Sequence, residues 1–219
     1  MLNSKGFDLW ADGYDKSVGM SDEDGTYPFA GYKQILNAIY NKVLISKSNT
    51  VLDIGFGTAA LTAKLYEQGC RIWGQDFSER MIELAKEKMP EEQLFQGDFS
   101  KGLVDELTHN KYDAIIATNS LHHLSDGQKI RFIKEILPLL HEGGCLYIGD
   151  VMFETRTELE RQKILIGEEW DDEEFYFAVD EIMKLIPQVK YEKHSFCAGL
   201  LSIKCPAEGN GLFDPFGIG

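Results

Sequence analysis

The segment Val51–Thr62 constrains the fold of this chain more than any other. It reads VLDIGFGTAALT, an apolar run that ends in Asp53-Ile54, followed by Gly55 and Gly57 and then by a helix-like pattern. This order predicts a buried strand that turns tightly into a helix, with backbone N–H groups free at the start of the helix. Glycine permits conformations closed to other residues and lets a ligand lie against bare backbone. Such turns are typical of sites for nucleotide-like cofactors.

Between Thr50 and Val151 short apolar segments alternate with amphipathic ones. The apolar segments predict five strands, at Thr50–Ile54, Arg71–Gln75, Leu94–Gln96, Tyr112–Thr118 and Cys145–Ile148. The amphipathic segments predict four helices: Ala59–Gln68, one capped by Ser78 that stops near Pro90, a looser one around 102–108, and one capped by Ser125 or Asp126 that stops at Gly143-Gly144. Apolar strands separated by helices predict a parallel sheet that is covered on both faces.

The segments on either side of this core complete the predicted architecture. Helices are expected at Phe7–Val18, Tyr32–Val43, Thr155–Ile166 and Asp171–Ile186. The strands Lys190–Phe196 and Ala198–Lys204 have almost nothing between them, which predicts an antiparallel hairpin at the sheet edge. The expected fold class is therefore α/β, with a doubly wound, mostly parallel sheet of seven strands, helices on both faces and a C-terminal antiparallel hairpin.

Composition excludes several classes of function. The net charge of −14 disfavours a nucleic-acid partner. No apolar run approaches the ~20 residues needed to span a bilayer, and Met1–Gly6 lacks an apolar core, so a cytoplasmic protein without a membrane partner is expected. The four cysteines are scattered, with no Cys-x-x-Cys pair and no histidine at metal-ligand spacing, so no metal site is predicted.

An acidic stretch lies between Glu154 and Lys184, with the run Glu168-Glu169-Trp170-Asp171-Asp172-Glu173-Glu174 at its centre. Two interpretations are open at this point. The stretch is either a solvated helix face with an acidic helix start, or a lid that attracts a cationic ligand.

With these motifs in place, the chain resembles the class I S-adenosylmethionine-dependent methyltransferases, especially the small-molecule branch with the ubiquinone/menaquinone-biosynthesis type of motif set. The first motif of that family is an acidic residue, one residue, and Gly-x-Gly-x-Gly. Here it stands as Asp53-Ile54-Gly55-Phe56-Gly57-Thr58-Ala59. Ala59 replaces the third glycine, and because alanine tolerates a helical conformation only a small cost in fit is expected.

The resemblance implies a Rossmann-like methyltransferase fold, S-adenosylmethionine as the cofactor with S-adenosylhomocysteine as its product, and a role for each strand-end acid. Asp53 would lie near the amino group of the methionine part. Asp76 would accept both ribose hydroxyls, and Asp98 would accept from the adenine amino group. The cofactor-binding residues implied by the resemblance are Tyr14, Asp53, Gly55, Gly57, Thr58, Asp76, Phe77, Asp98, Phe99 and Asn119.

The resemblance also divides the chain and points to candidate catalytic residues. His122 and His123 match a recurrent His-His stretch, and histidine is the side chain best able to carry a proton near neutral pH. A single methyltransferase domain over 1–219 is expected. Its parts are cover helices at 1–45, which carry Trp10 and Tyr14, a cofactor-binding core at 50–151, an acidic lid at 152–188, the edge hairpin at 189–206 and a tail at 207–219.

The expected function is methyl transfer from the sulfonium to a small-molecule nucleophile by in-line displacement, and the sequence specifies neither the acceptor nor the oligomeric state. Two alternatives stay open. Gly55-x-Gly57-x-x-Ala60 with Asp76 also satisfies the relaxed fingerprint of an NAD(P)-dependent oxidoreductase. Asp53 argues against it, because a carboxylate disfavours a pyrophosphate beside it. The second alternative is a non-catalytic S-adenosylmethionine-binding or regulatory protein.

Overall fold

The computed structural model describes residues 25–205, and within them the predicted alternation of strands and helices is present. The strands are β1 Thr50–Ile54, β2 Arg71–Asp76, β3 Gln93–Gln96, β4 Tyr112–Thr118, β5 Leu140–Phe153, β6 Phe177–Ala178, β7 Lys190–Lys193 and β8 Ala198–Lys204. The helices are α1 Tyr32–Ile45, α2 Thr62–Glu67, α3 Glu79–Lys88, α4 Asp105–Thr108, α5 Asp126–Ile136, α6 Arg156–Ile166 and α7 Val179–Leu185.

The main sheet has the strand order β3-β2-β1-β4-β5-β8-β7. Its first five strands are mutually parallel, and the hairpin of β7 and β8 joins the edge of β5 in antiparallel register. The predicted fold class is thereby confirmed. The two-residue strand β6, which the sequence did not predict, pairs with the end of β5. Because the chain winds in opposite directions from β1 and β4, a crevice opens between the carboxyl ends of these two strands.

Both faces of the sheet are covered by helices. Alternate residues of a strand point to opposite faces, and in β1 Leu52 belongs to one buried cluster with Ile133 of α5. Val51 belongs to the other cluster, together with Ile35 and Ile39 of α1. Burying each large apolar side chain of this kind stabilises the fold by roughly 1.5–3 kcal/mol, so the two clusters hold the strand ends in a fixed frame.

Two predicted helix starts are confirmed by their caps. The Ser78 hydroxyl accepts a hydrogen bond from the Met81 N–H at 3.2 Å, which begins α3. Ser125, not Asp126, precedes α5, and its backbone N–H donates to the Gln128 side chain at 3.0 Å. Such caps satisfy N–H groups that lack a partner within the helix.

Two predicted helix boundaries in the core are wrong. Helix α2, which was predicted to begin at Ala59, begins at Thr62. The helix α5 ends at Ile136, and Gly143-Gly144 lies inside the long strand β5 and does not end a helix. Pro138 explains the early stop, because proline in a helix interior removes a hydrogen bond and clashes with the preceding turn.

The predicted helix Asp171–Ile186 is wrong in its first half, because backbone pairing with distant segments replaces helical hydrogen bonds there. The Phe175 N–H donates to the His122 carbonyl at 2.7 Å, and Phe177 pairs with Met152 of β5. Strand β7 also ends early, at Lys193 rather than Phe196. The N–H groups of the two following residues both bond to the Ala198 carbonyl and close the hairpin.

No helix within residues 25–205 is long and apolar enough to cross a bilayer. All four cysteines, Cys70, Cys145, Cys197 and Cys205, are free thiols. The predicted first cover helix at Phe7–Val18, with Trp10 and Tyr14, and the tail at 207–219 lie outside the described residues.

Candidate functional site

A cavity that is open to solvent lies at the carboxyl ends of β1, β2 and β4. This is the crevice where ligands bind in doubly wound sheets. Most of the predicted site residues line it, namely Asp53, Gly55, Gly57, Thr58, Asp76, Phe77, Phe99, Asn119 and His123. The lining is completed by residues outside the predicted site, namely Tyr32, Phe56, Ala60, Leu61, Met81, Thr118 and Ser120.

The loop after β1 needs glycine at two positions for different reasons. Gly55 and Gly57 both have left-handed backbone conformations, with φ of 68° and 52°. A Cβ on Gly55 would lie 2.6 Å from the Ser120 Cβ, so the loop can approach the end of β4 only without a side chain. A Cβ on Gly57 would meet nothing within 4 Å among the described residues. Gly57 therefore leaves open space beside the cavity.

Ala59 has φ of 57°, so the expectation of a right-handed helical conformation at this residue is wrong. Its N–H donates to the Phe56 carbonyl at 2.8 Å, and its carbonyl accepts from the Ala63 N–H at 3.0 Å. The left-handed conformation costs an alanine about 1–2 kcal/mol. The family's third glycine thus corresponds to a backbone requirement, which this chain meets with strain.

Asp76, at the end of β2, joins three segments through its carboxylate. One oxygen accepts from the Gly57 N–H at 2.9 Å, and the other accepts from the Ser78 N–H at 2.9 Å. The carboxylate thereby holds the glycine loop against the start of α3. The same residue lines the cavity.

Asp53 is a buried carboxyl group at the floor of the cavity. Its side chain is 1% exposed, and within residues 25–205 its Oδ1 atom has no hydrogen-bond partner. Burial, reinforced by the nearby Asp76 charge, raises the pKa of Asp53 to about 8. A buried carboxyl oxygen without a partner is costly, and a cationic ligand in the cavity would reduce that cost.

The opposite wall of the crevice is formed by the residues after β4. Asn119 has φ of 46°, a left-handed conformation that asparagine tolerates better than most residues. Its N–H donates to the Gly149 carbonyl at 2.8 Å. The Ser120 hydroxyl donates to the Ile54 carbonyl at 2.9 Å and so ties the ends of β1 and β4 together.

Asp98 lies beyond β3 and is not among the residues that line the cavity. Its Oδ1 atom accepts from the Ser100 N–H at 3.0 Å and from the Ser100 hydroxyl at 2.6 Å. Its Oδ2 atom lies 3.1 Å from the Lys101 ammonium. These partners hold the pKa of Asp98 below its usual range although burial opposes the shift. Phe99, the next residue, does line the cavity.

The two histidines have different surroundings. His123 lines the cavity, whereas His122 is buried behind it and bonds through Nδ1 to the Asp150 carboxylate at 2.7 Å. Burial and the neighbouring His122 lower the pKa of His123 to about 3. Burial would lower the pKa of His122 too, but the carboxylates of Asp150 and Glu174 raise it above its usual value.

Glu174, in the acidic stretch, reaches the histidines from the far side of the cleft. Its Oε1 atom lies 3.4 Å from His122 Nε2, and its Oε2 atom accepts from the Tyr176 hydroxyl at 2.6 Å. Its neighbours Glu168, Glu169, Asp171, Asp172 and Glu173 are exposed. These neighbouring carboxylates are therefore exposed to solvent, whereas Glu174 turns inward, and the lid stays a prediction.

Comparison with known proteins identifies the family. The sequence profile described as "Methyltransferase domain" matches residues 51–144. An uncharacterized methyltransferase of Anoxybacillus flavithermus is 38% identical over 154 residues, which cover 70% of this chain and 69% of that protein. The chain belongs to the methyltransferase family. A second uncharacterized methyltransferase, from Geobacillus kaustophilus, is 32% identical over 200 residues, or 88% of this chain and 87% of that protein.

The fold of this methyltransferase is also found in solved structures. The magnesium protoporphyrin IX methyltransferase of Synechocystis PCC 6803, crystallised with bound SAH, matches with a TM-score of 0.63 at 18% identity, covering 81% of this chain and 84% of that chain. The resemblance to class I S-adenosylmethionine-dependent methyltransferases is confirmed, as is the prediction of an enzyme. Family membership counts against the oxidoreductase alternative.

Sequence reasoning missed several residues of this methyltransferase site. Asp150 carried a signal, because it is an acidic residue at the end of an apolar strand, as Asp53 and Asp76 are. No sequence signal marked Ser120, because its role depends on the distance between two strand ends. Glu174 was hidden in a run of acidic residues, and only the tertiary structure distinguishes it from its exposed neighbours.

Proposed function

We propose that this methyltransferase binds S-adenosylmethionine in the cavity at the ends of β1, β2 and β4 and transfers its methyl group to a small-molecule nucleophile. The observation that carries the proposal is the buried Asp53 carboxyl group, which lines the cavity and leaves Oδ1 without a partner among the described residues. The methionine part of the cofactor carries an ammonium and a sulfonium, and both favour a carboxylate nearby.

The glycine loop fits the same ligand. Gly57 leaves open space in which ligand atoms can approach the backbone. Asp76 lines the cavity at the end of β2, so we assign it to the ribose hydroxyls, as the family motif implies. Phe77 and Phe99 also line the cavity and are assigned to the faces of the adenine ring. Asn119 and Thr58 complete this set, and the roles of Asp98 and Tyr14 stay predictions.

We place the acceptor on the side of His123 and the segment 152–188. Two hydrogen bonds to the backbone of Phe175 hold this segment beside the histidines. The Phe175 N–H donates to the His122 carbonyl, and the Lys129 ammonium donates to the Phe175 carbonyl. Tyr27 stacks on Trp170 with ring centres 5.7 Å apart and hydrogen-bonds to Tyr176. These rings brace the segment, and the net charge of −14 favours a small molecule over a polyanionic nucleic acid as the acceptor.

S-adenosylmethionine supplies, when bound, a methyl group that is already electrophilic because it is bonded to a positively charged sulfur. The task of the chain is therefore to orient the cofactor and the acceptor and to exclude water from between them. Asp53, Asp76 and the glycine loop would fix one end of the ligand, and the acceptor wall would align a nucleophile with the methyl group. Positioning of this kind lowers a barrier by roughly 7–11 kcal/mol. We also propose a cytoplasmic location, where free thiols stay reduced.

Calorimetry of the full chain tests the proposal. S-adenosylmethionine and S-adenosylhomocysteine are expected to bind with micromolar affinity, about −8 kcal/mol, and NADH is expected not to bind. Preferential binding of NADH would refute the cofactor assignment. A panel of small metabolites incubated with methyl-labelled S-adenosylmethionine would then identify the acceptor, and binding of the cofactor without transfer to any small molecule would favour the regulatory alternative.

A further inference from the structure

Three metal-ligating side chains converge at the edge of the cavity. His122, His123 and Glu174 each offer one ligand atom, and these atoms lie within 4.8 Å of one another. His122 Nε2 and Glu174 Oε1 are 3.4 Å apart. Two ligands on a tetrahedral ion with bonds of about 2.0–2.1 Å are separated by roughly 3.4 Å. The pair thus has the spacing of two ligands on one ion.

Partners outside the cluster orient two of these ligands. The Asp150 Oδ1 atom bonds to His122 Nδ1 at 2.7 Å, while its Oδ2 atom accepts from the His122 N–H at 3.2 Å. This leaves Nε2 as the nitrogen that faces Glu174. Tyr176 donates to Glu174 Oε2 at 2.6 Å and leaves Oε1 toward the histidines. Carboxylate partners behind a histidine, and hydrogen bonds behind a carboxylate, are typical of metal sites.

We propose that His122 Nε2, His123 and Glu174 form a binding site for a divalent transition-metal ion of the Zn²⁺ class. Two imidazoles and one carboxylate suit Zn²⁺ and its neighbours in the first transition row, whereas Mg²⁺ and Ca²⁺ favour oxygen ligands. Three protein ligands leave a coordination position open for a water molecule. The ion would lie at the edge of the cavity, because His123 is shared with it.

The competing explanation is a purely structural ion pair, in which an imidazolium of His122 lies between the carboxylates of Asp150 and Glu174. That explanation gives His123 no part in the cluster, whereas a metal site requires it. A bound ion would also take the place of the proton-transfer role that the sequence predicted for the two histidines. The inference does not rest on the proposed function, because metal binding is measured without cofactor or acceptor.

Titration of the full-length, untagged chain tests the site. Protein stripped with a chelator is titrated with Zn²⁺ by calorimetry, and separately with Co²⁺ by absorption spectroscopy. One Zn²⁺ per chain is expected, together with Co²⁺ d–d bands of the intensity typical of four or five ligands. Glu174→Gln and His123→Ala are each expected to weaken Zn²⁺ binding at least tenfold, and Asp150→Asn 10- to 100-fold.

Matched controls separate this site from adventitious binding. Glu173→Gln removes an exposed neighbouring carboxylate, and His109→Ala removes an exposed imidazole; both are expected to bind Zn²⁺ like the parent chain. Circular dichroism establishes that each variant is folded, and if Glu174→Gln fails to fold, His123→Ala alone decides. The inference would be overturned if the chain does not bind stoichiometric Zn²⁺, or if His123→Ala binds Zn²⁺ like the parent chain. The proposed function would stay intact in that case if the stripped protein still binds S-adenosylmethionine.

Discussion

The backbone N–H of Gly57 donates to the Asp76 carboxylate at 2.9 Å, and this bond ties the loop after β1 to the end of β2. The same carboxylate accepts from the Ser78 N–H at the start of α3. One side chain thus shapes the glycine loop, anchors a helix start and faces the cavity. Its removal should affect both stability and ligand binding.

Asp76→Ala is expected to lower the free energy of unfolding by about 1–3 kcal/mol, because two backbone N–H groups lose their acceptor. The affinity for S-adenosylmethionine should fall more than tenfold. Urea denaturation and calorimetry measure the two effects. The control Glu67→Ala removes an exposed carboxylate from α2 and should change neither the stability nor the affinity appreciably. If Asp76→Ala binds S-adenosylmethionine as tightly as the parent chain does, the ribose assignment is ruled out.

The raised pKa of Asp53 predicts that the ligand-free protein loses stability as pH rises. The folded state holds a proton up to about pH 8, whereas the unfolded carboxyl group releases it near 3.8. Between these values the folded state binds more protons, so the free energy of unfolding falls with increasing pH. Asp53→Asn should flatten this part of the stability profile, measured by urea denaturation from pH 5 to pH 9. A parallel decline in both proteins would contradict the assignment.

Binding of the cofactor should release a proton from Asp53. A cation beside the carboxyl group lowers its pKa from about 8, so at pH 7 about 0.8–0.9 of a proton would leave if the bound pKa falls below about 6. Calorimetry in buffers of different ionisation enthalpy counts this proton. Asp53→Asn should abolish the release, and the affinity of the parent chain should rise between about pH 6 and pH 8. Buffer-independent enthalpies would refute the linkage.

Alanine at the two glycines of the loop should have different consequences. Gly55→Ala is expected to destabilise by about 2–5 kcal/mol, because left-handed strain adds to a clash with Ser120. Gly57→Ala should cost only about 1–2 kcal/mol, because the added methyl group meets open space among the described residues. That methyl group should nevertheless weaken S-adenosylmethionine binding. Thermal unfolding and calorimetry of the pair distinguish the structural glycine from the one at the ligand.

Ala59→Gly should stabilise the protein by about 0.5–1 kcal/mol. Relief of the left-handed strain, about 1–2 kcal/mol, exceeds the added flexibility of the unfolded chain, about 0.4–1 kcal/mol. Ala60→Gly is the matched control, because Ala60 is not among the described residues with positive φ. This variant should lower the free energy of unfolding by about 0.5–1 kcal/mol. Chemical denaturation of both variants measures the difference, and a loss of stability in Ala59→Gly would show that its φ of 57° is not strained.

Local physical chemistry explains which parts of the fold were predictable. The Ser78 cap, the start of α1 at Tyr32 and the strand β4 were identified because capping and apolar runs act over a few residues. The stop of α5 before Pro138 was equally local but was attributed to the wrong residues. The segment 171–176 was not predictable in this way, because the Phe175 N–H bonds to the carbonyl of His122, which is far away along the chain.

Local sequence patterns predicted the parallel sheet, the glycine turn after β1 and the strand-end acids Asp53 and Asp76, because strand direction brings such ends to one edge. The tertiary structure decided what these groups meet. It left the Asp53 carboxyl buried with an oxygen that lacks a partner among the described residues, imposed a left-handed backbone on Ala59, and brought both Glu174 and Asp150 to His122. Burial and distances between segments remote in sequence are set by packing, and packing is not a property of any local pattern.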